Sequence, residues 1–249
     1  MTWGIVVPTP PGAEPPAPEA RPLMPAWSYS RLAKWEKCPA SAYYAFILKL
    51  PEPKSEAMER GTRAHADAAA LLTSKEFDES TTPLSVPWMS RLVDTRNTYK
   101  NDIEAELQVA FTQDWSQTGW FARDAWCRII FDAFIMQAGT ETVLVEEHKT
   151  GKPRAEHTMQ ASLYAAGAHL LAPEARVVEV TINYLDLNPT KPGGVVRHAF
   201  THDMAKKAVV TWTERAARMM KDNEYPAVPG LHCRWCAFAK SAGGPCEKA

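Results

Sequence analysis

The chain has 249 residues, of which 45% are hydrophobic, with 28 basic and 29 acidic side chains. This length favours one large domain, and the even charge balance excludes a strong overall positive field as the basis of nucleic-acid binding. No stretch reaches the roughly 18 to 20 consecutive apolar residues of a membrane span and no signal peptide is recognisable, so we expect a cytoplasmic protein without a membrane partner, in the host cytoplasm if the chain is viral.

Prolines dominate the first 26 residues. Because proline removes backbone hydrogen-bond donors and favours extended geometry, residues 1–26 are predicted to form a flexible leader, with a docking tail for a partner as the alternative. Residues 27–249 are predicted to form a single domain.

Two helical segments open this domain. Ser28 or Ser30 can cap the first, which the dipeptide Cys38-Pro39 interrupts. The second spans residues 55–72, and the spacing of its apolar residues places His65 on its inward face. An inward histidine is either a hydrogen-bonded core residue or a metal ligand, because neutral imidazole also binds metals well.

The middle of the chain is predicted to supply strands. A helix at 88–105 precedes a strand at 106–111, and residues 120–126 are predicted to begin a second strand that runs on into residue 132. The segment Phe131–Gly151 then has two runs rich in Val, Ile and Phe on either side of Gly139-Thr140, which is typical of a β-hairpin.

This hairpin is predicted to pair two carboxylates. With the turn centred on Gly139 and Thr140, Asp132 falls directly opposite Glu147, and the alternation of a strand places Lys149 on the same face. Glu146 and His148 point to the other face. Opposed carboxylates repel each other unless a cation lies between them, and hard divalent ions prefer such oxygen ligands. The alternative is a solvated edge whose charges only keep the hairpin soluble.

The remainder of the chain alternates helix and strand. A helix at 155–172 is predicted to carry Gln160 and Tyr164 one turn apart, beside a buried stripe. That stripe is predicted to consist of Met159, Leu163, Ala166 and Leu170. Later elements are predicted as strands at 177–187 and 195–200 and a helix at 203–222. This order of elements predicts an α/β or α+β layered core.

The C-terminal segment, residues 231–249, is rich in cysteine. Cys233 and Cys236 form a CxxC pair and Cys246 follows, so three thiolates can converge on one ion or cluster. The fourth ligand is Cys38 or His232. A four-iron four-sulfur cluster, a structural zinc ion and unligated thiols all remain open, because five cysteines without a secretion signal favour metal sites or free thiols over disulfides. The fifth cysteine, at position 127, is predicted to be a core residue.

Taken in chain order, these motifs resemble the RecB-like branch of the PD-(D/E)XK nuclease superfamily, which is related to CRISPR-adaptation exonucleases and phage recombination exonucleases. The resemblance spans residues 27–246. The matching residues are the Ser-x-Ser-x-Leu opening with Cys38-Pro39, Gly61–His65, Asp132, Glu147–Gly151, Gln160–Tyr164 and the cysteine-rich end. The resemblance implies a restriction-endonuclease-like fold, in which helices flank a central mixed β-sheet.

The resemblance also implies roles for the site residues. His65, Asp132 and Glu147 would bind Mg²⁺ or Mn²⁺, with the His148 carbonyl as a backbone ligand. Lys149 would orient or deprotonate the attacking water. The scissile strand or the lysine would be held by Gln160 and Tyr164, and Glu106 would be an additional acidic member.

By the same resemblance, Cys38, Cys233, Cys236 and Cys246 would bind a four-iron four-sulfur cluster, with zinc as the alternative. The expected activity is that of a metal-dependent DNA exonuclease acting on DNA ends or single strands in recombination, repair or DNA processing. A recombination protein is a possible partner. The alternative is a non-catalytic DNA-binding subunit of a recombination complex that keeps the nuclease fold.

Overall fold

A computed structural model describes residues 21–137 and 139–248 of the chain. Most of the predicted leader, residues 1–20, lies outside the described residues. Within the remainder, Met24 and Ala26 are buried, and the Pro22 carbonyl accepts a hydrogen bond of 2.9 Å from the Tyr225 hydroxyl. Residues 21–26 therefore pack with the domain.

The first third of the chain is helical. Its elements are α1 (Tyr29–Lys37), α2 (Pro39–Ala42), a π-helical turn (Tyr43–Ile47), α3 (Glu56–Leu72) and α4 (Val86–Tyr99). Ser28 caps α1 and Ser55 caps α3, each by accepting a hydrogen bond from a backbone N–H of the first turn. The helix predicted at 88–105 ends earlier, at Tyr99, where Lys100 adopts a positive φ that breaks the helical repeat.

The strands and the remaining helices follow. They are β1 (Ile103–Phe111), β2 (Gln117–Thr118), β3 (Cys127–Met136), β4 (Thr142–Lys149), α5 (Ala155–Leu171), β5 (Val177–Tyr184), β6 (Val195–Thr201) and α6 (His202–Lys221). Short 3₁₀ turns at Leu231–Trp235 and Lys240–Ala242 make up the cysteine-rich end. No helix in the described parts of the chain combines the length and apolar character that a bilayer span requires.

Six strands form one mixed sheet in the order β2-β1-β3-β4-β5-β6. Neighbouring strands are antiparallel except β4 and β5, which are parallel because α5 carries the chain across one face of the sheet between them. On that face lies the larger hydrophobic core, with α5, α6 and α1. A smaller core fills the space between α3, α4 and the opposite face. The predicted architecture, a central mixed sheet flanked by helices, is confirmed.

Two local predictions were wrong, one of them only in part. Residues 120–126 are turns rather than a strand, with hydrogen bonds from Ala122 N to the Gly119 carbonyl and from Ala125 N to the Ala122 carbonyl. The aromatic residues there resemble a strand in composition, but regular sheet pairing begins only at Cys127.

The buried face of α5 was predicted only in part. Leu163 and Ala166 are buried as predicted, but Met159 is 41% exposed, and Ala161, Ala165 and Ala168 are also completely buried. The helix approaches β3 closely through its small residues, because a Cβ added at Gly167 would come within 2.7 Å of the Ile129 side chain. The sequence pattern favoured large apolar residues for this face, but close packing selected small ones.

Candidate active site

The hairpin of β3 and β4 places two carboxylates side by side. Ala133 pairs with Glu146, which is the predicted register, so Asp132 and Glu147 stand opposite each other just beyond the last paired residues. Both are buried. The backbone N–H of His148 donates a hydrogen bond of 2.6 Å to Asp132 Oδ2, so the side chain of Asp132 fixes the point at which the two strands separate.

Glu147 lies at the centre of a buried hydrogen-bond network. Its Oε1 atom is 2.5 Å from Lys149 Nζ and accepts a hydrogen bond of 3.1 Å from Gln160 Nε2. The same amide nitrogen donates to the Tyr164 hydroxyl at 2.7 Å. Burial, and then the negative charge of Asp132, raise the pKa of Glu147 to about 7, although Lys149 opposes the rise. The predicted residues Lys149, Gln160 and Tyr164 are therefore connected to Glu147 in one network.

Beside this network, the regular alternation of side chains between the two faces of the sheet is interrupted. Glu106 of β1 has a φ of 54°, which is in the left-handed region. Ala105 packs into the smaller core but Leu107 packs against the larger one, although residues two apart in a regular strand share a face. On the neighbouring strand β3, the rings of Phe131 and Phe134 contact each other, with centroids 5.4 Å apart. In a regular strand, residues three positions apart point to opposite faces.

This interruption brings three potential metal ligands together. One ligand atom each from His65, Glu106 and Asp132 lie within 4.8 Å of one another. His65 Nδ1 is 3.1 Å from Asp132 Oδ1, so the helix α3 reaches the carboxylate from the side of the smaller core. Glu106 was predicted only as an additional acidic member, and the local backbone conformation makes it part of the closest group.

The electrostatics of the three groups are coupled. Burial opposes ionisation of Asp132, but the hydrogen bond and charge of His65, together with His148, hold the pKa of Asp132 below its usual value. Burial lowers the pKa of His65, but Asp132 and then Glu147 raise it overall. Burial and the charge of Asp132 raise the pKa of Glu106. The site therefore gathers more negative charge than its histidines compensate.

The His148 side chain borders this group: its Nδ1 atom is 4.0 Å from Asp132 Oδ2, and its ring centroid is 6.0 Å from that of His65. The His148 imidazole is 1% exposed, and Nε2 lies 3.7 Å from Glu146 Oε2 and has no hydrogen-bond partner among the residues that the structure describes. Glu146 accepts a hydrogen bond of 3.1 Å from Asn183 Nδ2 on β5. Glu146 and His148 thus face away from Glu147, as predicted.

The loop after Lys149 has an anchor that sequence reasoning missed. Asp186 accepts a hydrogen bond of 2.7 Å from the Gly151 N–H and forms an ion pair of 2.6 Å with Arg60. Gly151 has a φ of 95°, which suits glycine. No local signal identifies Asp186, because it follows a different strand and meets the loop only in the folded sheet.

The four predicted cluster cysteines line one small pocket. Cys38 precedes α2, and the other three come from the C-terminal segment, where Cys246 N donates to the Phe238 carbonyl at 2.9 Å. Tyr44 and His232 also line the pocket. Cys127 is fully buried in the larger core and away from the pocket, in agreement with its predicted role.

Comparisons with known proteins match this architecture. The PD-(D/E)XK nuclease superfamily model matches residues 26–241. No curated protein sequence matches the chain. Among solved structures, SSO0001 is 14% identical over 90% of this chain and 87% of its own, with a TM-score of 0.44. A candidate exonuclease from Eubacterium rectale is 10% identical over 88% of both chains, with a TM-score of 0.49. LHK-Exo in complex with dAMP is 10% identical over 81% of this chain and 91% of its own, with a TM-score of 0.39.

The solved structures are too distant to carry a functional argument. The family model is different, since it covers most of the chain, including the strands and the helix that supply Asp132, Glu147, Lys149 and Gln160. The chain belongs to the PD-(D/E)XK nuclease superfamily.

Proposed function

We propose that the chain is a divalent-metal-dependent deoxyribonuclease, and that it acts as an exonuclease on DNA ends or single strands. The observation that carries this proposal is that two groups of polar residues lie side by side where β3 and β4 separate. One group is the ligand cluster around Asp132, and the other is the buried pair formed by Glu147 and Lys149. Charges placed side by side in a partly buried site are costly, so their concentration here supports a catalytic role over a purely structural one.

The donor set fits a divalent ion. Two carboxylates and an imidazole offer oxygen and nitrogen atoms within 4.8 Å of one another, and the surplus negative charge is what a cation neutralises. His65, Glu106 and Asp132 would hold Mg²⁺ or Mn²⁺, with Glu147 and the His148 carbonyl as the remaining predicted ligands. When bound, the ion supplies Lewis-acid activation of water and charge stabilisation at the phosphorus.

The residues around Glu147 position the reacting groups. Gln160 donates to Glu147 Oε1, the oxygen that also contacts Lys149, and so restrains the orientation of the carboxylate. Lys149 is partly exposed, which allows its ammonium group to reach an attacking water or a phosphate oxygen. Tyr164 orients Gln160 by accepting its second N–H.

The cysteine pocket is proposed to hold a four-iron four-sulfur cluster. Four cysteines around one pocket supply the ligands that such a cluster requires. The same four thiolates could hold tetrahedral zinc, which is the alternative.

The proposed setting is DNA recombination, repair or processing, with DNA as the substrate and a recombination protein as a possible partner. The resemblance to RecB-like nucleases supports this setting. A non-catalytic DNA-binding subunit is the competing hypothesis, and it predicts DNA binding without hydrolysis.

The test is cleavage of end-labelled linear and circular DNA, single- and double-stranded, with Mg²⁺, Mn²⁺ or EDTA. We expect metal-dependent loss of linear DNA, intact single-stranded circles, and no cleavage by Asp132→Ala or Lys149→Ala. Lys207→Ala, an exposed lysine on α6, is the matched control and should retain full activity.

Thermal melting checks that each variant is folded. Activity in EDTA, or undiminished activity of a folded Asp132→Ala or Lys149→Ala variant, would contradict the mechanism. Tight DNA binding by the wild-type chain with no cleavage under any of these conditions would favour the non-catalytic subunit.

A further inference from the structure

A large cavity adjoins the candidate active site on the side of the larger core. Its volume is about 810 Å³, and its wall is formed by α1, the start of β3, the first half of α5, Trp120 and Arg215 of α6. Lys149 and Gln160 line one part of it, so the cavity opens beside the Glu147 network. This volume is within the range of about 300 to 1,000 Å³ that ligand-binding pockets occupy.

Two arginines in this cavity have no carboxylate partner among the residues that line it. Arg31 donates to the Ala26 carbonyl at 2.8 Å, and the buried Nε of Arg128 has no hydrogen-bond partner within the described residues. The acidic residues of the wall are otherwise engaged. Glu36 is bound by Arg215 through two hydrogen bonds of 2.5 and 2.6 Å, and Glu156 forms an ion pair with an arginine of the preceding loop.

The two guanidinium groups repel each other. Burial lowers the pKa of Arg31, and the positive charge of Arg128 lowers it further. Like charges held together in a partly desolvated wall are unfavourable unless an anion binds between them. The pair therefore has the character of an anion site, and the wide bidentate donor array of arginine suits phosphate oxygens.

The start of α1 adds to this positive character. Ser28, Tyr29 and Ser30 line the cavity, and the first turn of the helix contains no acidic residue. The backbone N–H groups of that turn carry the positive end of the helix dipole, which is a favourable environment for phosphate.

An aromatic platform completes the cavity. The Arg128 guanidinium lies over the Trp120 ring, 5.5 Å from its centre, and Trp120 lines the cavity. Flat aromatic faces beside a basic wall are the means by which proteins bind unpaired bases, because every base can stack and no sequence is selected.

We propose that this cavity binds one nucleotide of a single DNA strand, with its phosphate between Arg31 and Arg128 and its base against Trp120. A duplex is too wide for a cavity of this size, so the strand must be unpaired where it enters. The inference rests on the proposed nuclease function and deepens it, because the bound nucleotide would place a neighbouring phosphodiester bond beside Lys149. The phosphate is either the terminal one or an internal one of the strand.

Equilibrium binding of fluorescent oligonucleotides to the full-length chain in EDTA tests this inference. The probes are single-stranded oligonucleotides with a 5′-phosphate, a 3′-phosphate or hydroxyl ends, a circular single strand, and a blunt duplex for comparison. Arg128→Met should weaken binding about tenfold, since a hydrogen bond to a charged group contributes that much. Arg31→Lys keeps the positive charge but loses the planar guanidinium that can bind two phosphate oxygens at once, so we expect a smaller loss of affinity.

Matched controls separate the site from general electrostatics. Arg218→Met removes an exposed arginine from α6 and should change the affinity by less than about twofold. Trp120→Ala should weaken binding to single strands but not to blunt duplex. Arg128→Met should also lower the slope of log affinity against log salt by about one unit, as expected for the loss of one phosphate contact.

The probes distinguish the source of the phosphate. If Arg128→Met loses affinity only for the probe with a 5′-phosphate or only for the probe with a 3′-phosphate, the cavity binds a terminal phosphate. If it loses affinity equally for every single-stranded probe, including the circle, the cavity binds an internal phosphate. Equal affinities of Arg128→Met and Arg218→Met for all probes would overturn the inference. Because no hydrolysis occurs in EDTA, the proposed nuclease activity can fail in its own assay while this binding result stands, and the reverse is equally observable.

Discussion

At the scale of single residues, the carboxyl group of Glu147 links folding stability to pH. Its pKa is about 7 in the folded chain, against an ordinary value of 4.5 in the unfolded chain. The folded state therefore holds a proton that the unfolded state has released between these two values. Below pH 4.5 the carboxyl is protonated in both states, and its full contribution to stability is present. Above pH 7 it is ionised in both states, and the free energy of unfolding of the metal-free protein is lower by roughly 3 kcal/mol.

Glu147→Gln should remove this pH dependence. In EDTA we expect the variant to melt close to the wild type at pH 5 and several degrees higher at pH 8, because the buried charge is absent only from the variant. The measurement is the difference in melting temperature from pH 5 to 8. A difference that stays constant over this range would show that Glu147 does not titrate with a raised pKa.

Gln160 should matter more than its partner Tyr164. Gln160→Ala removes the amide that fixes the Glu147 carboxylate, and we expect a loss of roughly 10- to 100-fold in activity, the usual effect of removing a partner that orients a ligand. Tyr164→Phe removes the acceptor for the second N–H of that amide and a hydroxyl that also interacts with Glu147, but it leaves the amide in place, so we expect a smaller loss. The measurements are kcat and the Mn²⁺ concentration for half-maximal activity.

A positioning role for Gln160 predicts a higher Mn²⁺ requirement, which simple destabilisation would not produce. Gln113→Ala, an exposed glutamine in the loop after β1, is the control and should match the wild type. Normal kcat and normal Mn²⁺ dependence in Gln160→Ala would contradict the role given to this residue.

At the scale of elements, strand β1 holds Glu106 in a backbone conformation that suits glycine. Glu106→Gly and Glu106→Ala both remove the carboxylate, so both should bind Mn²⁺ more weakly. Only glycine relieves the positive φ, so the glycine variant should be more stable than the alanine variant by about 1 kcal/mol. Titration calorimetry with Mn²⁺ and denaturant unfolding measure the two effects separately. Equal stability of the two variants would argue against strain at this position.

The same strand marks the limit of what the sequence could predict. The register of Asp132 and Glu147 follows from the short turn at Gly139, because local geometry determines a hairpin. The placement of Glu106 depends on the pairing of β1 with β3 and on an interruption of the side-chain alternation within β1. No sequence periodicity signals either feature. The cavity arginines were missed for the same reason, since Arg31 and Arg128 lie on different elements that only the fold brings together.

At the scale of the whole molecule, the two ends of the described chain pack against each other. The Tyr43 and Tyr225 rings are 5.0 Å apart, and the Ala40 N–H donates to the Pro226 carbonyl at 3.2 Å. The pocket of the four cysteines lies in this same region, and Cys38 directly follows the helix that carries Arg31. A cluster held there would therefore tie the C-terminal segment to the helix that lines the nucleotide cavity.

Loss of the cysteine ligands should loosen both ends together. We expect Cys38→Ala and Cys246→Ala each to lose the visible absorption of an iron–sulfur cluster and its iron content. Each variant should also be cut by protease in residues 222–248, because the ligand from the opposite end of the chain no longer holds this segment. DNA affinity should fall as α1 loses its support, although the ligand cluster of α3, β1 and β3 stays intact. Cys127→Ala, in the core, is the control and should keep its iron. Zinc in place of iron would identify the alternative metal, and full metal content in Cys38→Ala would exclude the predicted ligand set.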